Sequence, residues 1–114
     1  MLRESSDLGS PAPAQLLIAF TDLTYFTRTA QSMPDADLAR FCQEYYAATL
    51  AAVEPAGGSV IKFMGDAALI VFPSERAEAG VLALVELKRS VDVWMKRQQH
   101  TCRLIVRAHL AEAQ

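Results

Sequence analysis

Apolar residues recur along this chain with two different periods, and the switches between them mark its elements. Gln15 to Thr21 is an apolar run of strand length, and its continuity predicts a strand buried on both faces. Thr24 to Gln31 has room for one or two helical turns. Pro34 then opens a clear helix, with Asp35 and Asp37 at its positive end. Leu38, Phe41, Cys42, Tyr45, Thr49, Ala52 and Val53 give that helix one apolar stripe, and Pro55, Gly57 and Gly58 end it. Ser59 to Met64 and Ala67 to Phe72 read as strands separated only by Gly65-Asp66, a strong short-range hairpin signal. Pro73-Ser74-Glu75 breaks the second of these and starts another long helix, with Ser74 as its N-cap. Ala77, Val81, Leu84, Leu87, Val91, Trp94 and Met95 supply the buried stripe of this helix, and Lys88, Arg89, Lys96 and Arg97 lie towards its negative end. Thr101 to Leu110 is the last strand, followed by Ala111 to Gln114. The order is β, short α, α, β-β, α, β. It predicts an α+β fold, a ferredoxin-like βααββαβ sandwich with a mostly antiparallel sheet and helices on one face.

Length and charge narrow the classes. A chain of 114 residues is one domain at most, and residues 1–14, with Gly9, Ser10, Pro11 and Pro13, read as a flexible lead to a domain over 15–114. Apolar content of 52% is too high for disorder. A net charge of −2 with no block of Lys or Arg argues against nucleic acid as a partner. Cys42 and Cys102 form neither a disulfide framework nor, with the histidines, a zinc spacing. The first residues lack the apolar core of a signal peptide, and no run reaches the length of a membrane span. The expected location is cytoplasmic.

The chemistry sits at two strand ends. Asp22 follows the first apolar run, and Asp66 sits in the hairpin turn. Singly, each has a plain structural role, Asp22 as a helix cap or Asx turn and Asp66 as a turn residue. In the ferredoxin-like order, however, the end of the first strand lies near the hairpin tip. Two carboxylates brought together there repel unless a cation lies between them. Hard divalent cations are held in this way, by one or two carboxylates plus substrate phosphates.

Two motifs carry a resemblance. Phe20-Thr21-Asp22-Leu23-Thr24-Tyr25-Phe26-Thr27, followed by Lys62-Phe63-Met64-Gly65-Asp66, resembles the paired motifs of the class III nucleotidyl cyclases, the adenylyl and guanylyl cyclases. The spacing, the intervening Tyr45-Tyr46 helix and the Gly57-Gly58 turn are similar as well, over roughly Leu16 to Glu112. The resemblance implies conversion of ATP to cyclic AMP and pyrophosphate, with two Mg²⁺ or Mn²⁺ ions on Asp22, Asp66 and the backbone carbonyl of Leu23. It implies that backbone amides of Tyr25, Phe26 and Thr27 cradle the terminal phosphates, and that Lys62 favours adenine over guanine, hence ATP over GTP. A cationic donor suits the acceptor N1 of adenine; the plainer role of Lys62 is that of a solvated edge-strand lysine.

The resemblance also implies a homo- or heterodimer, because the family completes its site across two subunits. This chain departs from it at Tyr25, where the family has glycine, and at Ala111 in the segment Arg107 to Glu112. His109 in that segment is expected to be a hydrogen-bonded scaffold residue. Nothing here matches the family's second base-specifying residue or its transition-state Asn and Arg. The expectation is therefore the N-terminal, metal-binding part of a catalytic domain, inactive alone and catalytic in a longer or dimeric protein. The alternative is a non-catalytic module that binds a nucleotide or a partner domain. A diguanylate cyclase is disfavoured, because the hairpin reads Met64-Gly65-Asp66-Ala67-Ala68.

Overall fold

The computed structural model describes residues 14–113, so the expected lead lies outside the described residues apart from Ala14. The elements are β1 (Ala14–Leu23), α1 (Phe26–Gln31), α2 (Asp35–Val53), β2 (Ser59–Met64), β3 (Ala67–Pro73), α3 (Ala77–Arg97) and β4 (Leu104–Ala113). The four strands form one sheet in the order β2-β3-β1-β4, and every neighbouring pair is antiparallel. This is the ferredoxin-like order.

The helices cover one face of the sheet. In β1 the buried residues are Leu17, Ala19, Thr21 and Leu23, and they alternate with less buried ones, among them Phe20 at 45% exposure. The expectation that this run is buried on both faces therefore fails: Leu16 to Phe20 are all apolar, but the fully buried positions of the strand alternate. β3 repeats the pattern with Ala68, Ile70 and Phe72. One core cluster joins Leu23 to Phe41, Tyr45, Leu87, Val91, Met95, Cys102 and Leu104. A second joins Leu17, Ala19, Val53, Ala68, Ile70, Phe72 and Leu84.

In α2 the fully buried residues are Phe41, Tyr45, Thr49 and Val53, four apart, as one face of a helix requires. In α3 they are Gly80, Leu84, Leu87, Val91 and Met95. Val81, expected in that stripe, is instead 45% exposed. The reason is Phe72, whose ring fills the space in front of Gly80, where an added Cβ would lie 2.7 Å from it. A glycine lets the helix close onto the ring, and Gly80 takes the buried position in place of Val81, while Leu84, Leu87, Val91 and Met95 keep theirs.

Two boundaries also differ from the sequence reading. Ser74 does not cap α3; it opens a single 3₁₀ turn, Ser74–Arg76, and no side chain caps the helix that follows. The last strand begins at Leu104 rather than Thr101. Residues 98–103 are used to end α3, where Gln99 takes a positive φ of 61° and the His100 N–H donates to the Met95 carbonyl. Arg103 then exchanges bonds with Thr24, its N–H donating to Thr24 Oγ1 and its carbonyl accepting from the Thr24 N–H. On the outer edge of β4, Lys88 and Asp92 of α3 hold the carbonyl and the N–H of Leu104.

Candidate functional site

The end of β1 and the β2–β3 turn do meet. The Asp66 carboxylate accepts a hydrogen bond from the Leu23 N–H at 2.9 Å, across 43 residues of sequence. A half-buried side-chain hydrogen bond of this kind contributes on the order of 1 kcal/mol. It sets the Asp66 carboxylate against the residue that follows Asp22. Asp22 lies within β1 rather than beyond its end, opposite Ile105 of β4. It alternates with the buried Thr21 and Leu23, so it stands half-buried on the sheet face that the helices leave open.

Gly65 supplies the turn. Its φ of +62° suits glycine, and no atom of the described residues lies within 4 Å of where its Cβ would be. Two phenols of α2 hold the turn. Tyr45 Oη donates to the Asp66 carbonyl at 2.8 Å, and Tyr46 Oη donates to the Gly65 carbonyl at 2.7 Å. Tyr45 is 1% exposed. Burial, with the Asp66 and Asp22 carboxylates nearby, pushes its phenol up to about 12, so it remains a neutral donor through the physiological range. The Thr21 hydroxyl lies close enough to oppose this rise in part. It is buried, and among the described residues it has no well-formed hydrogen bond, so it is a neighbour of the phenol rather than its acceptor.

Lys62 reaches the open face because of an irregularity in β2. The pairing steps from Val60↔Ile70 to Lys62↔Leu69, which leaves Ile61 as an extra residue. Val60 and Phe63 therefore both face the helices and pack on the second core cluster, while Lys62 shares a face with Leu69 and Phe20. Asp22, two residues beyond Phe20, is on the same side. Strict alternation from Val60 would have turned Lys62 inward. β2 is an edge strand, so the plainer reading of Lys62 keeps its support.

Tyr25 precedes α1 in the left-handed conformation, φ 58° and ψ 21°. For a residue with a Cβ this costs roughly 1–2 kcal/mol. The residue is 60% exposed, with the Arg28 guanidinium 5.5 Å from the centre of its ring. No side chain caps the first turn of α1, Phe26 and Thr27 included.

His109 differs from its expected scaffold role. It sits inside β4, exposed and opposite Ile18, and its side chain makes no hydrogen bond among the described residues. Cys102 is buried, its Sγ 3.2 Å from Thr29 Oγ1. A cavity of 360 Å³ lined by Met33, Phe41, Trp94 and His100 opens near the start of α2 and does not include either aspartate.

Among the described residues no group of three or more His, Cys, Asp or Glu is placed to hold a metal ion. The donors at this site are two carboxylates and backbone carbonyls, all hard oxygens. That set fits Mg²⁺ or Mn²⁺ with the remaining positions taken by water or phosphate, and does not fit a softer metal.

Sequence reasoning placed Tyr45 in the core stripe and gave Tyr46 no role. The available signal was two adjacent tyrosines on one helix, whose side chains leave it about 100° apart and can reach a neighbouring turn by different routes.

No protein-family model matches the chain. It is 32% identical over 93 residues to the terminal-differentiation-specific adenylate cyclase of Dictyostelium discoideum, covering 78% of this chain and 4% of that protein. Across three curated relatives, all adenylate cyclases, the match spans between 4% and 22% of the relative's length. A bacterial light-regulated adenylyl cyclase superposes with a TM-score of 0.78 at 16% identity, over 91% of this chain and 32% of that one. The guanylyl cyclase Cya2 superposes with a TM-score of 0.73 at 20% identity, over 86% of this chain and 54% of that one. At these identities the structural likeness is one of fold.

Proposed function

Because this chain belongs to the class III nucleotidyl cyclases, we propose that it carries the metal- and nucleotide-binding part of an adenylyl cyclase site. The parent reaction is ATP to cyclic AMP and pyrophosphate. The observation that carries this reading is the convergence of Asp22 and Asp66, fixed by the bond from the Leu23 N–H to the Asp66 carboxylate.

Asp22, Asp66 and the Leu23 carbonyl would hold two Mg²⁺ or Mn²⁺ ions. Bound there, such ions polarise phosphate and stabilise charge on the attacking and leaving oxygens. The protein groups supply position. Asp66 is held by its carboxylate on Leu23 and by its carbonyl on Tyr45, so little reorganisation is needed when ligand arrives. The amides around Tyr25, Phe26 and Thr27 are free of side-chain caps and would receive the terminal phosphates. Lys62, on the same open face, would donate to the adenine ring and so favour ATP over GTP. Two free thiols and the ATP substrate favour the cytoplasm. No helix of the described residues is long and apolar enough to cross a membrane. The open sheet face is where a second cyclase domain would complete the site, so this chain by itself is expected to bind without turnover.

Binding of a non-hydrolysable ATP analogue tests the reading, with and without Mn²⁺. Asp66→Asn and Asp22→Asn should each weaken Mn²⁺-dependent binding about a hundredfold, as loss of a charged ligand does. Lys62→Glu should lower the ATP-to-GTP preference about tenfold. Affinity that is independent of Mn²⁺, or unchanged in both aspartate variants, would overturn the metal assignment.

A further inference from the structure

The β2–β3 turn has little packing of its own. Gly65 faces open space, and Met64 beside it is exposed. Yet its two central carbonyls are both taken by phenols from one helix. The two arms approach differently. Tyr45 rises through the core beneath the turn, fully buried. Tyr46 comes along the flank, its ring centre 4.2 Å from that of Phe63 in β2. The turn is therefore bracketed from two sides by donors whose own positions are set by α2. Asp66 in turn is tied at two points, its carbonyl to Tyr45 and its carboxylate to Leu23. A hairpin needs none of these bonds in order to form. Together they tie the turn to α2 and to the end of β1, next to Asp22 in the chain.

We propose that Tyr45 and Tyr46 are positioning residues for the Asp66 carboxylate, their phenols pinning the turn so that the carboxylate stays against Leu23 and beside Asp22. The effect on metal binding rests on the reading of the site given above; the pinning itself does not. Tyr45 matters more, because it holds Asp66 directly and its bond is shielded from water. Tyr46 holds the neighbouring carbonyl through a more exposed bond.

Two readouts on this chain test it: Mn²⁺ affinity by titration calorimetry, and hydrogen exchange of individual amides. Tyr45→Phe keeps the ring and loses only the donor. It should weaken Mn²⁺ binding about tenfold and speed exchange of the Leu23 amide about tenfold, with the Ile70 and Val91 amides unchanged. Tyr46→Phe should give about a threefold change in both, and it keeps the test decisive should Tyr45→Phe not fold. A purely structural role predicts something different. The Leu23, Ile70 and Val91 amides would then accelerate together and Mn²⁺ affinity would hold, and that result would overturn the proposal. If the unaltered chain takes up no Mn²⁺, or if Asp66→Asn binds it equally well, the metal reading has failed on its own. The exchange data then decide alone: selective acceleration at Leu23 supports the pinning, and none overturns it.

Discussion

The two ends of β1 are equally well paired and differ in everything else. Along its whole length β1 is matched residue for residue with β4, from Ala14↔Ala113 to Leu23↔Leu104. At the Leu23 end, α2, α3 and the β2–β3 turn close over the ladder. Leu23 and Leu104 are buried there, and bonds from Asp66, Tyr45, Tyr46, Lys88 and Asp92 converge. At the other end the ribbon runs past the helices. Leu110 pairs with the buried Leu17 and is still 58% exposed. Ladder hydrogen bonds make a strand; they do not make a site. A site needs side chains brought from distant segments and partly screened from water, and only the covered end has them.

Core truncation breaks this comparison most sharply. Leu23→Ala should cost about 2–5 kcal/mol in chemical denaturation, whereas Leu110→Ala should stay within about 0.5 kcal/mol. Similar losses at both residues would mean that the ends are not energetically distinct.

Titration of Tyr45 comes next. Its phenol is raised to about 12 in the folded protein and titrates near 10 when unfolded. The folded state therefore keeps a proton that the unfolded state gives up between those values. Its stabilising effect is complete below pH 10 and is lost as pH rises from about 10 to 12, by about 2 kcal/mol. Tyr45→Phe should flatten that part of the stability-against-pH curve, and an unchanged slope would mean that the phenol is not the group responsible.

The smallest effect is expected at Tyr25. Tyr25→Gly removes the left-handed strain but loosens the unfolded chain, so stability should rise by about 0.5 kcal/mol or less. A loss of more than about 1 kcal/mol in thermal unfolding would show that the Tyr25–Arg28 stacking outweighs the strain.

Most of the fold was legible in the sequence. The switches between helical and strand periods, the Pro and Gly stops and the Gly65-Asp66 turn are local signals, and they located every strand and α-helix among the described residues, though not the 3₁₀ turn at Ser74. The misplacements share one cause. Val81 lost its core position because Phe72, from a different element, fills the space in front of Gly80. The last strand starts late because residues 98–103 first close α3 and bond to Thr24. β1 reads as buried throughout because sequence records how apolar a residue is and not whether a helix lies over it.

The site divides in the same way. Sequence alone determined which residues have the right chemistry: two aspartates at strand ends and a lysine four residues before one of them. It also carried the family motifs, because motif residues are close along the chain. Only the tertiary structure decided the rest. The extra residue at Ile61 put Lys62 on the face that holds Asp22. The sheet register brought Asp66 to Leu23, and the angle of α2 under the turn gave Tyr45 and Tyr46 their carbonyls. These depend on how elements far apart in sequence settle against one another, and a one-residue slip in β2 would reverse which face Lys62 occupies without changing any local preference.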